Sequence, residues 1–153
     1  MRTIRKKSIF VSILIIVTIS VFWVMHHDFT YKHVSITLGQ KTFDTLVSDT
    51  ESLREKGLGD REYLSPDQAM LFVFDRPDFY GFWMKDMHFP INMIWVDASS
   101  TIVGIEEDVR PETYPKNFFP KSPASFVIET NTGVSHIEGL HLGDHVSLPA
   151  FLP

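Results

Sequence analysis

The 153-residue chain contains no cysteine. No disulfide can brace it, no thiol can act as nucleophile or metal ligand, and lipid attachment through an N-terminal cysteine is excluded. Basic residues are also scarce, with 14 Lys and Arg against 19 Asp and Glu and a formal net charge of −5. Four of those positive charges, Arg2, Arg5, Lys6 and Lys7, fall in the first seven residues. The remainder holds ten Lys and Arg against all nineteen acids, a balance near −9. Such a body repels nucleic acid and anionic lipid headgroups, so no nucleic-acid partner is expected. Internal repeats and low-complexity tracts are absent, as are a nucleophile elbow, a phosphate loop, an HExxH pair and a dinucleotide fingerprint.

One long hydrophobic run is present. Ile9 to Met25 is 17 uncharged residues, roughly 25 Å as a helix and at the lower limit for crossing a bilayer core. The rival reading is a cleaved signal peptide, which calls for a shorter apolar stretch and small residues at the cut. Here Val24, Met25, His26 and His27 follow the run, so an uncleaved transmembrane anchor is the better reading. The basic cluster then holds the N-terminus in the cytoplasm and places everything after Met25 outside. The division is residues 1–25 as cytoplasmic stub and anchor, 26–32 as linker, and 33–153 as an extracytoplasmic domain. The expected location is the inner or plasma membrane, crossed once.

Downstream, HVSITL (33–38) alternates apolar and polar residues and meets KTFDTLV (41–47) through Gly39-Gln40, a link suited to a type II′ hairpin. Ser48 with Glu51 has capping-box spacing, and Gly57 can close a short helix over about 49–57. Ser65 and Pro66 give a second helix-start signal, but AMLFVF (69–74) reads as a doubly buried strand. DRPD (75–78) reads as a turn, INMIWVD (91–97) and IVGIE (102–106) as paired strands, and FVIET (126–130) and HVSL (145–148) as the last two strands, with NTG (131–133) as a turn. Many short strands with one or two short helices predict a mainly β, α+β domain: a small antiparallel barrel or roll.

The segment GFWMKDMHFP (81–90) sets bulky apolar groups beside an ammonium and a carboxylate. As a strand it places Trp83 and Lys85 on one face, with Phe82, Met84, Asp86 and His88 on the other. Turned inward, Lys85 would lie along the indole and meet Asp97 or Glu129. Glu129 stands out as a carboxylate in an otherwise apolar strand. The architectural reading is a half-buried ion pair that fixes barrel register. The functional reading is a polar cluster in an aromatic-walled small-ligand pocket formed by Trp83, Lys85, Trp95, Asp97 and Glu129. His136, His141 and His145, near Glu138 and Asp144, are interrupted by glycines in GLHLGDH and are not expected to form a metal site. No cofactor is implied. The long connection 107–123 carries Phe118 and Phe119 as a plug over the core or as a lid.

The blocks EKGLGDREYLSPDQAMLFVF, FWMKDMHFPINMIWVD, IVGI, FVIETNTG and GLHLGD, in that order over about residues 43–148, resemble the family known as domain of unknown function 192. Gly59, Ala69 and the Asp86-Met87 pair depart from that family's usual residues. The resemblance implies a compact, mainly β domain, often exported or membrane-tethered, with no established activity. Three functions compete. One is a non-catalytic, membrane-anchored module of the cell envelope that binds a small ligand or assists an envelope protein. The second is a hydrolase or lyase using Lys85 with Asp97 or Glu129. The third is an interaction domain that docks a membrane partner through 107–123.

Overall fold

The computed structural model describes residues 30–150, so the apolar run and its basic flank lie outside the described residues. No described helix is long and apolar enough to cross a membrane. The chain runs β1 (Lys32–Leu38), β2 (Lys41–Ser48), α1 (Glu51–Lys56), β3 (Gln68–Asp78), β4 (Ile91–Val96), β5 (Ile102–Val109), a 3-10 turn (Pro111–Thr113), β6 (Ala124–Asn131) and α2 (Val134–Ile137).

The six strands form one mixed sheet in the order β1-β2-β3-β6-β4-β5. The expected β1–β2 hairpin is present, with Leu38 opposite Lys41 and Gly39 at a φ of 59° in the tight link. Two expectations are corrected. β2 and β3 run parallel, because residues 49–67 between them are long enough for a crossover, which α1 and the following loop provide. The sheet also stays open and does not close into a barrel. The segment expected as its last strand, 145–148, contributes only single bridges, Thr101 to His145 and Thr37 to Ser147. Gly139 and Gly143 at positive φ turn the chain too sharply just before it for a continuous ladder.

The central strands are buried on both faces, which explains their uninterrupted apolar reading. Every residue of β4 is buried, and so is every residue of β6 except Asn131. Phe43, Leu71, Ile94, Phe126 and Ile128 pack on one face with Val134 of α2 and Val146. Met70, Phe72, Met93, Trp95 and Val127 pack on the other, beneath Leu58, Leu64, Met84 and Phe118 from the connecting loops. That second face carries the site.

Local signals resolve unevenly. α1 is capped by Thr50, whose hydroxyl accepts from the Leu53 N–H, while Ser48 remains in β2 with its hydroxyl buried and unpartnered among the described residues. Gly57 closes α1 at a φ of 50° and donates its N–H to Leu53. Ser65-Pro66 starts no helix: the Gln68 N–H returns to the Ser65 carbonyl at 2.9 Å and the chain enters β3 directly. Residues 75–78, expected as a turn, extend β3 past a register shift between Val73 and Asp78. The NTG turn leads into α2, too short to be signalled by periodicity.

Candidate functional site

The segment 81–90 is not a strand. Phe82 makes one bridge, to Phe118, and the chain then turns at Lys85-Asp86, with Asp86 at a φ of 57° and its carbonyl accepting from Asp60 N–H at 2.7 Å. The alternation of faces survives, but its sense is the reverse of the expected one. Met84 is buried and Phe82 half-buried, while Trp83 and Lys85 point outward. Two apolar side chains gain more from burial than an indole paired with an ammonium, because the charge would have to be desolvated. Lys85 forms no ion pair with any described carboxylate, so the proposed register strut is absent. Phe82 packs edge-on against Phe72 at 4.8 Å and against Trp95 at 6.2 Å, measured between ring centroids.

This loop roofs a cavity of about 400 Å³. Phe72 and Phe74 of β3 and Glu129 of β6 form its inner part. Tyr80, Gly81, Phe82, Trp83, Lys85 and Met87 form one wall, α1 and its exit through Gly59 form another, and Asn117 completes the rim. The volume suits a small organic molecule.

Glu129 is the unusual group. It is 4% exposed and sits directly between Met70 of β3 and Met93 of β4, both fully buried. Its Oε2 has no hydrogen-bond partner among the described residues. With neither cation nor donor to offset desolvation, the carboxyl is pushed up to about 8, so it is mostly a neutral acid at neutral pH. The guanidinium that lines the same cavity is committed elsewhere: Arg54 donates to the Val73 carbonyl at 2.9 Å and lies over the Phe74 ring. Phe74 in turn stacks on Tyr80 at 3.5 Å. The influence of Glu129 reaches Tyr31, whose hydroxyl pKa is raised chiefly by burial, with Arg61 opposing and Glu129 adding to the rise.

Of the five residues singled out from the sequence, the cavity gathers Trp83, Lys85 and Glu129. Trp95 is fully buried below that layer. Its indole N–H donates to the Tyr80 carbonyl at 2.9 Å, so it positions the loop and does not line the cavity. Asp97 is engaged in its own turn, where Oδ1 accepts from the Ser99 N–H, the Ser99 hydroxyl and the Thr101 N–H. Desolvation opposes its ionisation, but those three hydrogen bonds, aided by His145, outweigh it and hold the carboxyl below its usual range. Asp97→Ala is expected to cost about 1–2 kcal/mol of stability and to leave ligand affinity at the cavity unchanged, as chemical denaturation paired with a binding titration would show. An affinity loss would place Asp97 in the site.

Sequence reading missed Arg54, Phe72, Phe74 and Tyr80. The stretch around Arg54 reads as an ordinary capped helix, and the aromatic residues read as core. The histidines are dispersed in role. The Asp144 carboxylate accepts the His141 backbone N–H, Glu138 accepts from Gln40, and among the described residues no three potential metal ligands converge. In the 107–123 connection Phe118 is the buried plug while Phe119 is exposed.

A family model described as "Uncharacterized ACR", that of DUF192, matches residues 34–148. Solved structures similar to this chain include the following two. One is of a proposed transcription regulator from Sinorhizobium meliloti 1021, 26% identical, with a TM-score of 0.72, over 78% of this chain and 96% of that one. The other is of a protein of unknown function from Novosphingobium aromaticivorans DSM 12444, 25% identical, with a TM-score of 0.73, over 80% of this chain and 90% of that one. No curated protein matches.

Proposed function

The chain belongs to the DUF192 family, and on that premise we propose that it is a membrane-anchored, extracytoplasmic module that binds a small ligand in the cavity over Glu129. The observation that carries the reading is a buried carboxyl, unpartnered among the described residues, at an aromatic-walled cavity. An unpaired acid between two methionines costs stability, and a group held at such a cost beside a cavity is a functional candidate. As a neutral acid it donates one hydrogen bond and accepts others, which suits a hydroxyl or carbonyl on the ligand. Phe72, Phe74 and Tyr80 supply apolar contact, and Trp83 covers the mouth.

The anchor reading rests on Ile9–Met25 and the four basic residues before it. It places the domain outside the inner or plasma membrane. The transcription-regulator description belongs to the S. meliloti protein, and the near −9 balance after Met25 argues against a nucleic-acid partner here. A hydrolase or lyase reading retains only Lys85 and Glu129, because Asp97 is bound into its own turn.

Titrating the full chain in detergent with envelope glycans, peptides and small metabolites, while following Trp83 emission, tests the proposal. The expected result is a saturable response that disappears in Trp83→Phe and weakens about tenfold or more in Glu129→Leu, as loss of a buried hydrogen bond requires. A response indifferent to both substitutions, or none across the panel, overturns it.

A further inference from the structure

Glu129 lacks what a buried acid ordinarily has. Its Oε2 has no hydrogen-bond partner among the described residues, and burial is the whole cause of its displaced titration, with no cation contributing. An acid taken out of water without a donor or a counter-charge costs stability. The side chain nonetheless lines the cavity, so a molecule that enters the cavity can supply both.

The walls favour a cation over a neutral group. Phe72, Phe74, Tyr80, Phe82 and Trp83 line the cavity, and the faces of aromatic rings attract positive charge. Phe74 already carries one cation, the Arg54 guanidinium 5.2 Å from its ring centre. That guanidinium is held by the Val73 carbonyl and makes no ion pair with Glu129. The other charged and titrating groups at the cavity are Glu51, Glu55 and Lys56 of α1 and Tyr80 and Lys85 of the loop. Lys56 pairs with Asp60, and the two α1 carboxylates offset the basic groups. The balance near −9 after Met25 draws cations towards the domain as a whole.

We propose that the cavity takes a small organic ammonium ion, whose N–H groups meet the Glu129 carboxyl at the inner end while its hydrocarbon part lies among the aromatic side chains. This inference rests on the cavity reading above and narrows its ligand class. A hydroxyl or carbonyl exchanges hydrogen bonds with the neutral acid. An ammonium ion goes further: as the cation enters, the proton of Glu129 leaves for the buffer, and the cavity's net charge is unchanged. The pair that forms is charge-assisted and roughly twice as strong as a neutral hydrogen bond. Because the folded carboxyl titrates at about 8, the release weakens binding at neutral pH by only about tenfold.

The test titrates the full chain in detergent with cyclohexylamine and with cyclohexanol, which share a ring and differ in the charge of the polar group. Calorimetry in two buffers of different ionisation enthalpy counts the protons exchanged. At about pH 6 the inference expects about one proton released per amine bound and none per alcohol. Amine affinity should rise about tenfold per pH unit up to about 8 and level off above it. Tyr31, which Glu129 influences, ionises above this range. In Glu129→Gln the amine should bind no tighter than the alcohol and release no proton. The proton count needs only the parent protein, so it decides even if that variant fails to fold. Amine binding without proton release, or unchanged in Glu129→Gln, overturns the inference. Alcohol binding without amine binding overturns it too and leaves the cavity reading standing. Silence from both probes overturns the inference, and the cavity reading falls with it only if the wider ligand panel is silent as well.

Discussion

Glu129→Met raises the stability of the folded domain by about 3–4 kcal/mol at neutral pH and removes a component of its pH dependence. The methionine fills a volume similar to that of the glutamate between Met70 and Met93 and needs no hydrogen-bond partner. The sign follows from linkage. The folded carboxyl is pushed up to about 8 from the ordinary 4.5. Below the ordinary value both states hold the proton, and stability is undiminished. Between the two values the unfolded chain releases the proton while the folded chain keeps it, so stability falls by about 1.4 kcal/mol per pH unit. Above the folded value the loss levels off, on the order of 5 kcal/mol. Urea denaturation of the two proteins at a series of pH values isolates this component, because groups that Glu129 does not influence cancel in the difference and Tyr31, which it does, titrates at a higher pH. The gap between variant and parent should widen between the ordinary 4.5 and about 8 and stay level on either side. A constant gap would mean that Glu129 ionises as if in water. The same variant should lose ligand, exchanging function for stability.

Trp95→Ala is expected to have the largest destabilising effect, about 3–5 kcal/mol. The ring is fully buried with Phe82 edge-on above it, and the Tyr80 carbonyl loses its donor when the indole is removed. Trp95→Phe restores most of the volume and not the hydrogen bond, so it should cost less. Per folded molecule Trp95→Phe should bind ligand with an affinity close to that of the parent, because the indole supports the loop from beneath. Thermal denaturation with a parallel titration checks both points. An affinity loss in Trp95→Phe beyond its stability loss would move Trp95 into the cavity itself.

The sequence marks this site without giving its geometry. Glu129 is legible because a carboxylate in FVIET breaks an apolar strand, and burial follows from its neighbours. That it has no partner is not legible, since this depends on Arg54 being engaged by Val73 and Phe74 from a different strand. In 82–85 the two-residue alternation is readable, but it is the same for a strand and for an extended loop. Which side faces inward was decided by a competition between Phe82 with Met84 and Trp83 with Lys85. Asp97 carried a readable signal of its own, since Asp followed by Ala-Ser-Ser-Thr is a side-chain-capped turn. The hairpin at Gly39-Gln40 and the glycine stop at Gly57 are local and are read correctly. The parallel β2–β3 pairing and the open edge near 145–148 depend on partners far along the chain, which no local pattern specifies.

The central claim is that Glu129 remains a neutral acid in the folded protein under conditions where ordinary carboxyls are ionised. Following the carbon-13 shift of its carboxyl from about pH 4 to about pH 10, with the signal assigned by its absence in Glu129→Gln, measures this directly. The account predicts a midpoint at about 8; a midpoint near the ordinary 4.5 would contradict it.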